Sequence, residues 1–337
     1  MNPELIGKVV DGAHLLPEEA HAAMSAIMEG EATPVQIAGF LVAMRIKGET
    51  VTEVTEFARA MRARALAVHT SRRPLVDTCG TGGDTIKTFN VSTAAAFVAA
   101  GAGVAVAKHG NRSVTSRCGS ADVLEALGVP FDLPPDQVAR CVDEIGIGFM
   151  FAPVFHPAMK HAAPVRRELG IRTIFNALGP LTNPAHAEAQ VLGVYRPELT
   201  ELHAGVLRNL GCRRAFVVHG VGGLDELSVV GETRVTELRA GQLHTYSLAP
   251  EDVGLRRAEP GAIQGRTPEE NAELLVRTLE GEEGAARDIV LLNAAAAIAA
   301  AERAESVQEA MPIAAESLDS GAALHKLRQL QAMGAAV

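Results

Sequence analysis

Apolar and polar positions fall into two regimes along this chain. From residue 3 to about 70, apolar side chains return every three or four positions, as in Ile37, Phe40, Leu41 and Met44, then Val54, Phe57, Ala58 and Met61. That spacing puts them on one face of a helix. The boundary signals agree. Pro17 and Pro34 fall in first turns, where a missing amide costs nothing. Thr33 with Gln36, and Thr50 with Glu53, have the spacing of capping boxes, and Gly30 and Gly48 stand where helices close. The pattern predicts four short helices with no strand between them. Their apolar surface exceeds what they can cover by themselves, which predicts a covering partner.

From Leu75 onward short apolar runs alternate with helical stretches. Leu75–Cys79, Val104–Ala107, Gly148–Phe151, Gln190–Val194 and Ala215–His219 read as strands. Helices are predicted after Thr93, from Ser120, after Pro134-Pro135 and over Pro157–Gly170. This alternation predicts a largely parallel sheet. Thr233–Leu238 and Leu243–Leu248 read as an antiparallel pair. Closing helices follow, one opened by the Thr267-Pro268 and Glu270 capping box and one spanning the alanine-rich run Asn293–Ala301. The turn-rich stretch Asn176–Pro184 interrupts the rhythm. The expected fold class is α/β. A small all-helical N-terminal domain over residues 1–73 joins a larger α/β/α domain, residues 74–164 and 189–337, around a central, mostly parallel mixed sheet.

Composition narrows the function classes. The chain has 337 residues, 47% hydrophobic and 21% charged, with a net charge of −9. An acidic surface repels nucleic acid and anionic membrane, so no nucleic-acid or membrane partner is expected. The most apolar run, Val91–Ala107, is mostly Ala and Gly and contains Ser92 and Thr93; it reads as a buried helix and strand rather than a membrane span. The four cysteines, Cys79, Cys118, Cys141 and Cys212, are far apart and form no zinc pattern. Reduced thiols, and no basic and apolar leader in Met1–Lys8, give a cytoplasmic expectation.

Chemistry concentrates between Leu75 and Leu127. Twice a strand ends in a polar loop before a helix, the place where an open α/β sheet holds its ligand. The first loop is the glycine-rich turn Gly80-Thr81-Gly82-Gly83-Asp84, followed by Lys87 to Thr93. It offers backbone amides and hydroxyls near a helix N-terminus, as a phosphate requires. Ser92 is suited both to capping that helix and to offering a hydroxyl to Mg²⁺. The second is Lys108-His109-Gly110-Asn111-Arg112, continued by Ser113 to Ser120. Here Lys108 suits a phosphate, while His109 and Asn111 suit an aromatic acid. Further on, Asp225-Glu226 follows the loop Gly220 to Leu224. Adjacent carboxylates repel and are relieved by a cation such as Mg²⁺. Arg166 offers a planar guanidinium suited to a carboxylate.

Five stretches stand in one order and spacing: Gly80-Thr81-Gly82-Gly83-Asp84, Asn90-Val91-Ser92-Thr93, Lys108-His109-Gly110-Asn111-Arg112, Asn176-Ala177-Leu178-Gly179-Pro180-Leu181-Thr182-Asn183-Pro184, and Asp225-Glu226. On these the whole chain resembles the anthranilate phosphoribosyltransferase family, of the nucleoside phosphorylase/phosphoribosyltransferase fold. The resemblance implies transfer of phosphoribosyl from 5-phosphoribosyl 1-pyrophosphate (PRPP) to the amine of anthranilate, without an acid–base or nucleophilic residue. It implies that Gly80, Gly83, Asp84, Thr88, Asn90, Val91, Ser92, Thr93, Lys108, His109, Gly110, Asn111, Arg112, Ser113, Val114, Thr115, Ser116 and Ser120 hold the donor. Gly80, His109, Asn111, His156, Arg166 and Pro180 would hold anthranilate, and Ser92, Asp225 and Glu226 two Mg²⁺ ions per subunit. It also implies a return of the chain to the helical domain at about 165–188, and a homodimer joined through that domain. Arg117-Cys118 departs from the Lys-Ser of many relatives, so the donor loop is expected to differ there, with Cys118 oxidation-sensitive if exposed. Two alternatives stay open: a pyrimidine nucleoside phosphorylase-like enzyme and a non-catalytic nucleic-acid-binding relative.

Overall fold

The first regime of the pattern folds as α1 (Pro3–Val10), α2 (Pro17–Met28), α3 (Pro34–Lys47) and α4 (Val51–Arg62). The structure is a computed structural model, and it describes residues 1–83, 85–113 and 118–334. Both capping boxes close. Gln36 N–H donates to Thr33 Oγ1 at 3.3 Å while Thr33 N–H donates to Gln36 Oε1 at 3.0 Å. Glu53 makes the reciprocal pair with Thr50, and its buried carboxylate also takes Lys47 Nζ at 2.9 Å and Leu15 N–H at 2.9 Å. One side chain thus caps α4 and ties the end of α3 to the α1–α2 connection. Phe40 and Phe57 meet edge to face at 6.0 Å in the core between α3 and α4.

The second regime continues with β1 (Leu75–Asp77), α5 (Val91–Gly101), β2 (Ala105–Gly110), α6 (Ser120–Ala126), α7 (Pro135–Arg140), β3 (Ile147–Phe151), α8 (Ala152–Phe155), α9 (Ala163–Leu169) and α10 (Ile174–Leu178). After these come β4 (Ala189–Gly193), α11 (Leu199–Asn209), β5 (Arg214–Gly220), β6 (Thr233–Arg239), β7 (Gln242–Leu248), α12 (Pro268–Leu279), α13 (Ala285–Ala300), α14 (Val307–Asp319) and α15 (Ala322–Gly334). The sheet order is β3-β2-β1-β4-β5-β6-β7. The first five strands are parallel, and β6 and β7 are antiparallel. The expected α/β class with a mostly parallel mixed sheet is what the chain forms. Because β1 sends the chain toward β2 on one side and lies beside β4 on the other, the order reverses between β1 and β4. Such a reversal opens a crevice at the strands' carboxyl ends.

Strand alternation sorts the core. Val76, Val106, Val191, Phe216 and Val218 face α5, α12, α13, α14 and α15, where the alanines of α5 and α13 allow close helix packing. On the other face Leu192, Val194, Ala215 and Val217 join α11 and the helices α1–α4 in one continuous cluster. Ala162, Val165, Ile174, Phe175 and Leu178 belong to that same cluster, so the interrupting segment packs on α3 and α4. Among the described residues no helix is long and apolar enough to cross a membrane.

Two expected elements take another form. The single helix expected over Pro157–Gly170 is broken into a 3₁₀ turn, Pro157–His161, and α9. Pro164 lacks the amide that would continue a helix through Ala163, so it restarts one instead. The strand expected to end at Ala107 runs on to Gly110, paired with β3 as far as Phe151. Lys108 and His109 are therefore buried sheet residues, not loop residues. The alanine-rich helix also begins earlier than Asn293, at Ala285.

Candidate functional site

A cleft of about 610 Å³ opens at the carboxyl ends of β1, β2 and β3, walled on the opposite side by the segment from Ala152 to Thr182. The glycine turn after β1 forms its floor. Thr81 N–H donates to Gly193 O at 2.8 Å, which anchors the turn to the end of β4 at the point of strand reversal. Gly82 N–H donates to Asp225 Oδ2 at 2.8 Å, and Ser92 N–H donates to Glu226 Oε1 at 3.2 Å. The two carboxylates on the loop after β5 thus reach both the turn and the first turn of α5. A Cβ at Gly80 would lie 2.8 Å from Asp225 Oδ2, and one at Gly83 would overlap the Arg172 guanidinium, so a side chain at either position would push one of these groups aside.

Ser92 does not cap α5; the N-cap position is Asn90, and its side chain bonds elsewhere. Asn90 Oδ1 accepts from Cys118 Sγ at 3.3 Å and from Asn271 Nδ2 at 3.1 Å. Glu226, from another element, satisfies one of the α5 amides instead. This leaves the Ser92 hydroxyl facing Lys108 Nζ at 3.3 Å. Lys108 also donates to Thr78 O at 2.6 Å. The Thr93 hydroxyl is buried and finds no hydrogen-bond partner among the described residues. A buried orphan hydroxyl at a helix N-terminus fits an anionic ligand.

Asp77 lies beneath, fully buried. It accepts His109 N–H at 3.1 Å and Asn183 Nδ2 at 2.7 Å. Burial pushes its carboxyl up to about 6, against the pull of Lys108. His109 and His156 stand 5.1 Å apart, ring to ring. Gly179 O can only accept, so His109 Nδ1, 3.1 Å away, carries the proton. Burial lowers His109 to about 3, with the neighbouring His156 adding to the effect, and lowers His156 to about 4. Both imidazoles are neutral at pH 7. With Pro180 and Phe175 they make an apolar, flat-sided wall that suits an aromatic ring.

Arg166 lines the cleft half-buried, its guanidinium 5.2 Å from the Phe175 ring centre, and burial lowers its pKa. Arg167 is exposed and lies outside the cleft lining. Arg112 is on the rim, but its guanidinium is neutralised by Asp122 and Glu125, each at 2.8 Å from Nη1. Cys118 is buried and its thiol is raised to about 11 by burial, so the condition for oxidation sensitivity is not met.

Every described residue expected to bind donor, acceptor or metal lines this one cleft. Asp84, Val114, Thr115 and Ser116, and also Arg117, lie outside the described residues. Sequence reasoning missed Arg172. Its Nη2 donates to Gly83 O at 3.0 Å, and its guanidinium lies 4.2 Å from the Tyr195 ring centre. Arg45 in turn donates to Arg172 O, which links α3 to the cleft. The only signal was position, two residues past the glycine that ends α9. Lys160 also lines the cleft, without an assigned role.

The glycine-turn floor, the carboxylate pair and the helical second wall meet in this one cleft. Residues 72–324 match the family model "Glycosyl transferase family, a/b domain", and residues 3–65 match "Glycosyl transferase family, helical bundle domain". The chain is 60% identical to the anthranilate phosphoribosyltransferase of Moorella thermoacetica over 97% of this chain and 96% of that one. The crystal structure of the anthranilate phosphoribosyltransferase from Thermus thermophilus superposes with a TM-score of 0.94 at 51% identity, covering 98% of this chain and 99% of that one. The Saccharomyces cerevisiae enzyme in complex with PRPP and Mg superposes at 0.90 with 29% identity, covering 99% and 98%. The chain belongs to the anthranilate phosphoribosyltransferase family.

Proposed function

We infer that this cleft holds PRPP on the sheet side and anthranilate against the helical wall. The protein transfers the phosphoribosyl group of PRPP to the amine of anthranilate, giving N-(5-phosphoribosyl)anthranilate and pyrophosphate, the second step from chorismate to L-tryptophan. The observation that carries the residue assignment is the tie from Asp225 and Glu226 to the glycine turn and the α5 N-terminus.

The aromatic amine is neutral at pH 7, so attack needs orientation rather than a strong base. The hard step is departure of pyrophosphate from the anomeric carbon. The glycine turn Gly80–Gly83, the N-terminus of α5 with the Thr93 hydroxyl, unpartnered among the described residues, and the ammonium of Lys108 line the cleft where that charge would develop and are suited to stabilise it. Ser92, Asp225 and Glu226 offer only oxygen donors, the set a hard divalent cation takes, and would hold the Mg²⁺, two ions per subunit in this reading. When bound, Mg²⁺ neutralises charge on the pyrophosphate. Arg166 pairs the anthranilate carboxylate, and neutral His109 and His156 with Pro180 hold the ring. Asn111 and Gly80, which also line the cleft, would contact both substrates.

A pyrophosphate-release assay tests this reading. Release should require anthranilate, Mg²⁺ and PRPP together, and Asp225→Asn with Glu226→Gln should abolish it while the protein stays folded. Full release in excess chelator, or phosphorolysis of a pyrimidine nucleoside as the faster reaction, overturns it.

The assembly is a homodimer through the helical domain. Val35 and Ile46 on α3 are 81% and 82% exposed. Eleven residues apart, they share one helix face with Gly39 and half-buried Val42, an apolar stripe opposite the face that packs inward. A cytoplasmic location rests on the four cysteines, none of which forms a disulfide.

A further inference from the structure

Helix α13 carries one polar side chain in an otherwise apolar run. Asn293 is 2% exposed, preceded by Leu291-Leu292 and followed by alanines and Ile298 that are all buried. A buried amide costs free energy unless it is hydrogen-bonded, and Asn is a poorer helix former than Ala. Its partners are specific. Leu227 N–H donates to Asn293 Oδ1 at 3.0 Å, and Asn293 Nδ2 donates to Leu227 O at 2.9 Å, with a further bond to Ile289 O at 2.8 Å. The Leu227 N–H belongs to the peptide group that also carries the Glu226 carbonyl. One side chain therefore fixes the peptide planes on both sides of Leu227, directly after the carboxylate pair.

The opposite side of that loop is fixed by a close approach. A Cβ on Gly193 would lie 1.5 Å from Asp225 O. The Asp225–Leu227 stretch is thus held between the end of β4 and the buried face of α13. Both polar atoms of the Asn293 amide are taken up by Leu227 and Ile289 backbone groups, so Asn293 acts through the backbone.

We propose that Asn293 is a positioning residue for donor binding: from the core it sets the orientation of Asp225 and Glu226, so that the pair meets the cation and pyrophosphate without rearrangement. This rests on the reading of Asp225 and Glu226 as the metal-holding pair. Preorganised charge is what such a site contributes to both binding and leaving-group departure.

The test is calorimetric titration of Mg²⁺–PRPP into the protein without anthranilate, together with steady-state kinetics. Asn293→Leu keeps the branching and the number of side-chain heavy atoms and removes the hydrogen bonds. It should raise the donor Kd and the half-saturating Mg²⁺ at least tenfold, with the anthranilate KM within twofold of wild type. Gly193→Ala, which displaces Asp225 from the other side, should give the same signature. A purely structural role lowers the melting temperature and leaves donor Kd and Mg²⁺ requirement within twofold, which overturns the proposal. Should Asn293→Leu fail to fold, Gly193→Ala decides alone: an unchanged donor Kd overturns it. Asp225→Asn with Glu226→Gln is titrated alongside. If that variant binds Mg²⁺–PRPP normally, the metal reading itself falls; if it loses binding while Asn293→Leu keeps it, only the role of Asn293 falls.

Discussion

Two neighbouring arginines show what a residue's chemistry reveals before its surroundings are known. Arg166 and Arg167 are indistinguishable by charge, and their offset of about 100° around a helix decides which one meets the cleft. Arg166 does. A charge-assisted bond contributes about 1.5–3 kcal/mol, so Arg166→Ala should raise the anthranilate KM roughly ten- to a hundredfold with little change for PRPP. Arg167→Ala should leave both within twofold; the reverse ranking would move the carboxylate anchor. The histidines were not legible in the same way, because neutrality comes from burial that periodicity does not report. His156 has a folded pKa of about 4 against the ordinary 6.5, and His109 about 3. Each contributes stability that is full above 6.5 and is lost as pH falls toward its folded pKa. Asp77 acts oppositely: its raised pKa makes the folded state gain on acidification from about 6 down toward the ordinary carboxylate value. Within this cluster the two imidazoles outweigh the one carboxyl, so its contribution to stability falls on acidification. Denaturant unfolding of His156→Gln at pH 7 and pH 5 should show a loss about 2 kcal/mol smaller than in wild type.

At the scale of elements, capping boxes and glycine stops were legible because they are local chemistry. The Thr33–Gln36, Thr50–Glu53 and Thr267–Glu270 pairs all form. Where an element depends on a neighbour, local reasoning stopped short. Polar Lys108 and His109 read as the start of a loop, yet pairing with Phe149 and Met150 holds them in β2, and their polar atoms find Thr78 O, Ser92 Oγ and Gly179 O. The glycine turn offers a test of such cross-element contacts. Gly82 has φ +70° with nothing within 4 Å of a built Cβ, whereas Gly83 has φ +84° under the Arg172 guanidinium. Alanine at either costs roughly 1–2 kcal/mol for the left-handed backbone. Only Gly83→Ala must also displace Arg172. In double-mutant cycles on PRPP affinity, Arg172→Ala should couple to Gly83→Ala by about 0.5 kcal/mol or more, and less to Gly82→Ala, whose carbonyl Arg172 Nη1 reaches only at 3.5 Å. Additivity in both cycles would remove Arg172 from the turn's support.

For the molecule as a whole, the fold class was legible from the change of period at Leu75. The covering surface for the helical start was less so. Part of it comes from the chain itself, through Val165, Ile174, Phe175 and α11. What stays outside includes the Val35–Ile46 stripe, the most exposed apolar pair of the helical start. Ile46→Glu with Val35→Glu should convert a dimer to a monomer by light scattering at micromolar concentration, since each apolar side chain buried contributes about 1.5–3 kcal/mol. A wild-type monomer at the same concentration would refute the assembly.

The clamp on Leu227 has a consequence for motion. Its amide is bonded to a core asparagine, so it can exchange with solvent only when α13 parts from the sheet, an opening near the cost of global unfolding. The amide of Gly82, bonded to Asp225 at an exposed position, needs only a local fluctuation. Hydrogen exchange should therefore be slowest at Leu227 and fast at Gly82 in the free protein, with only Gly82 slowing markedly when donor binds.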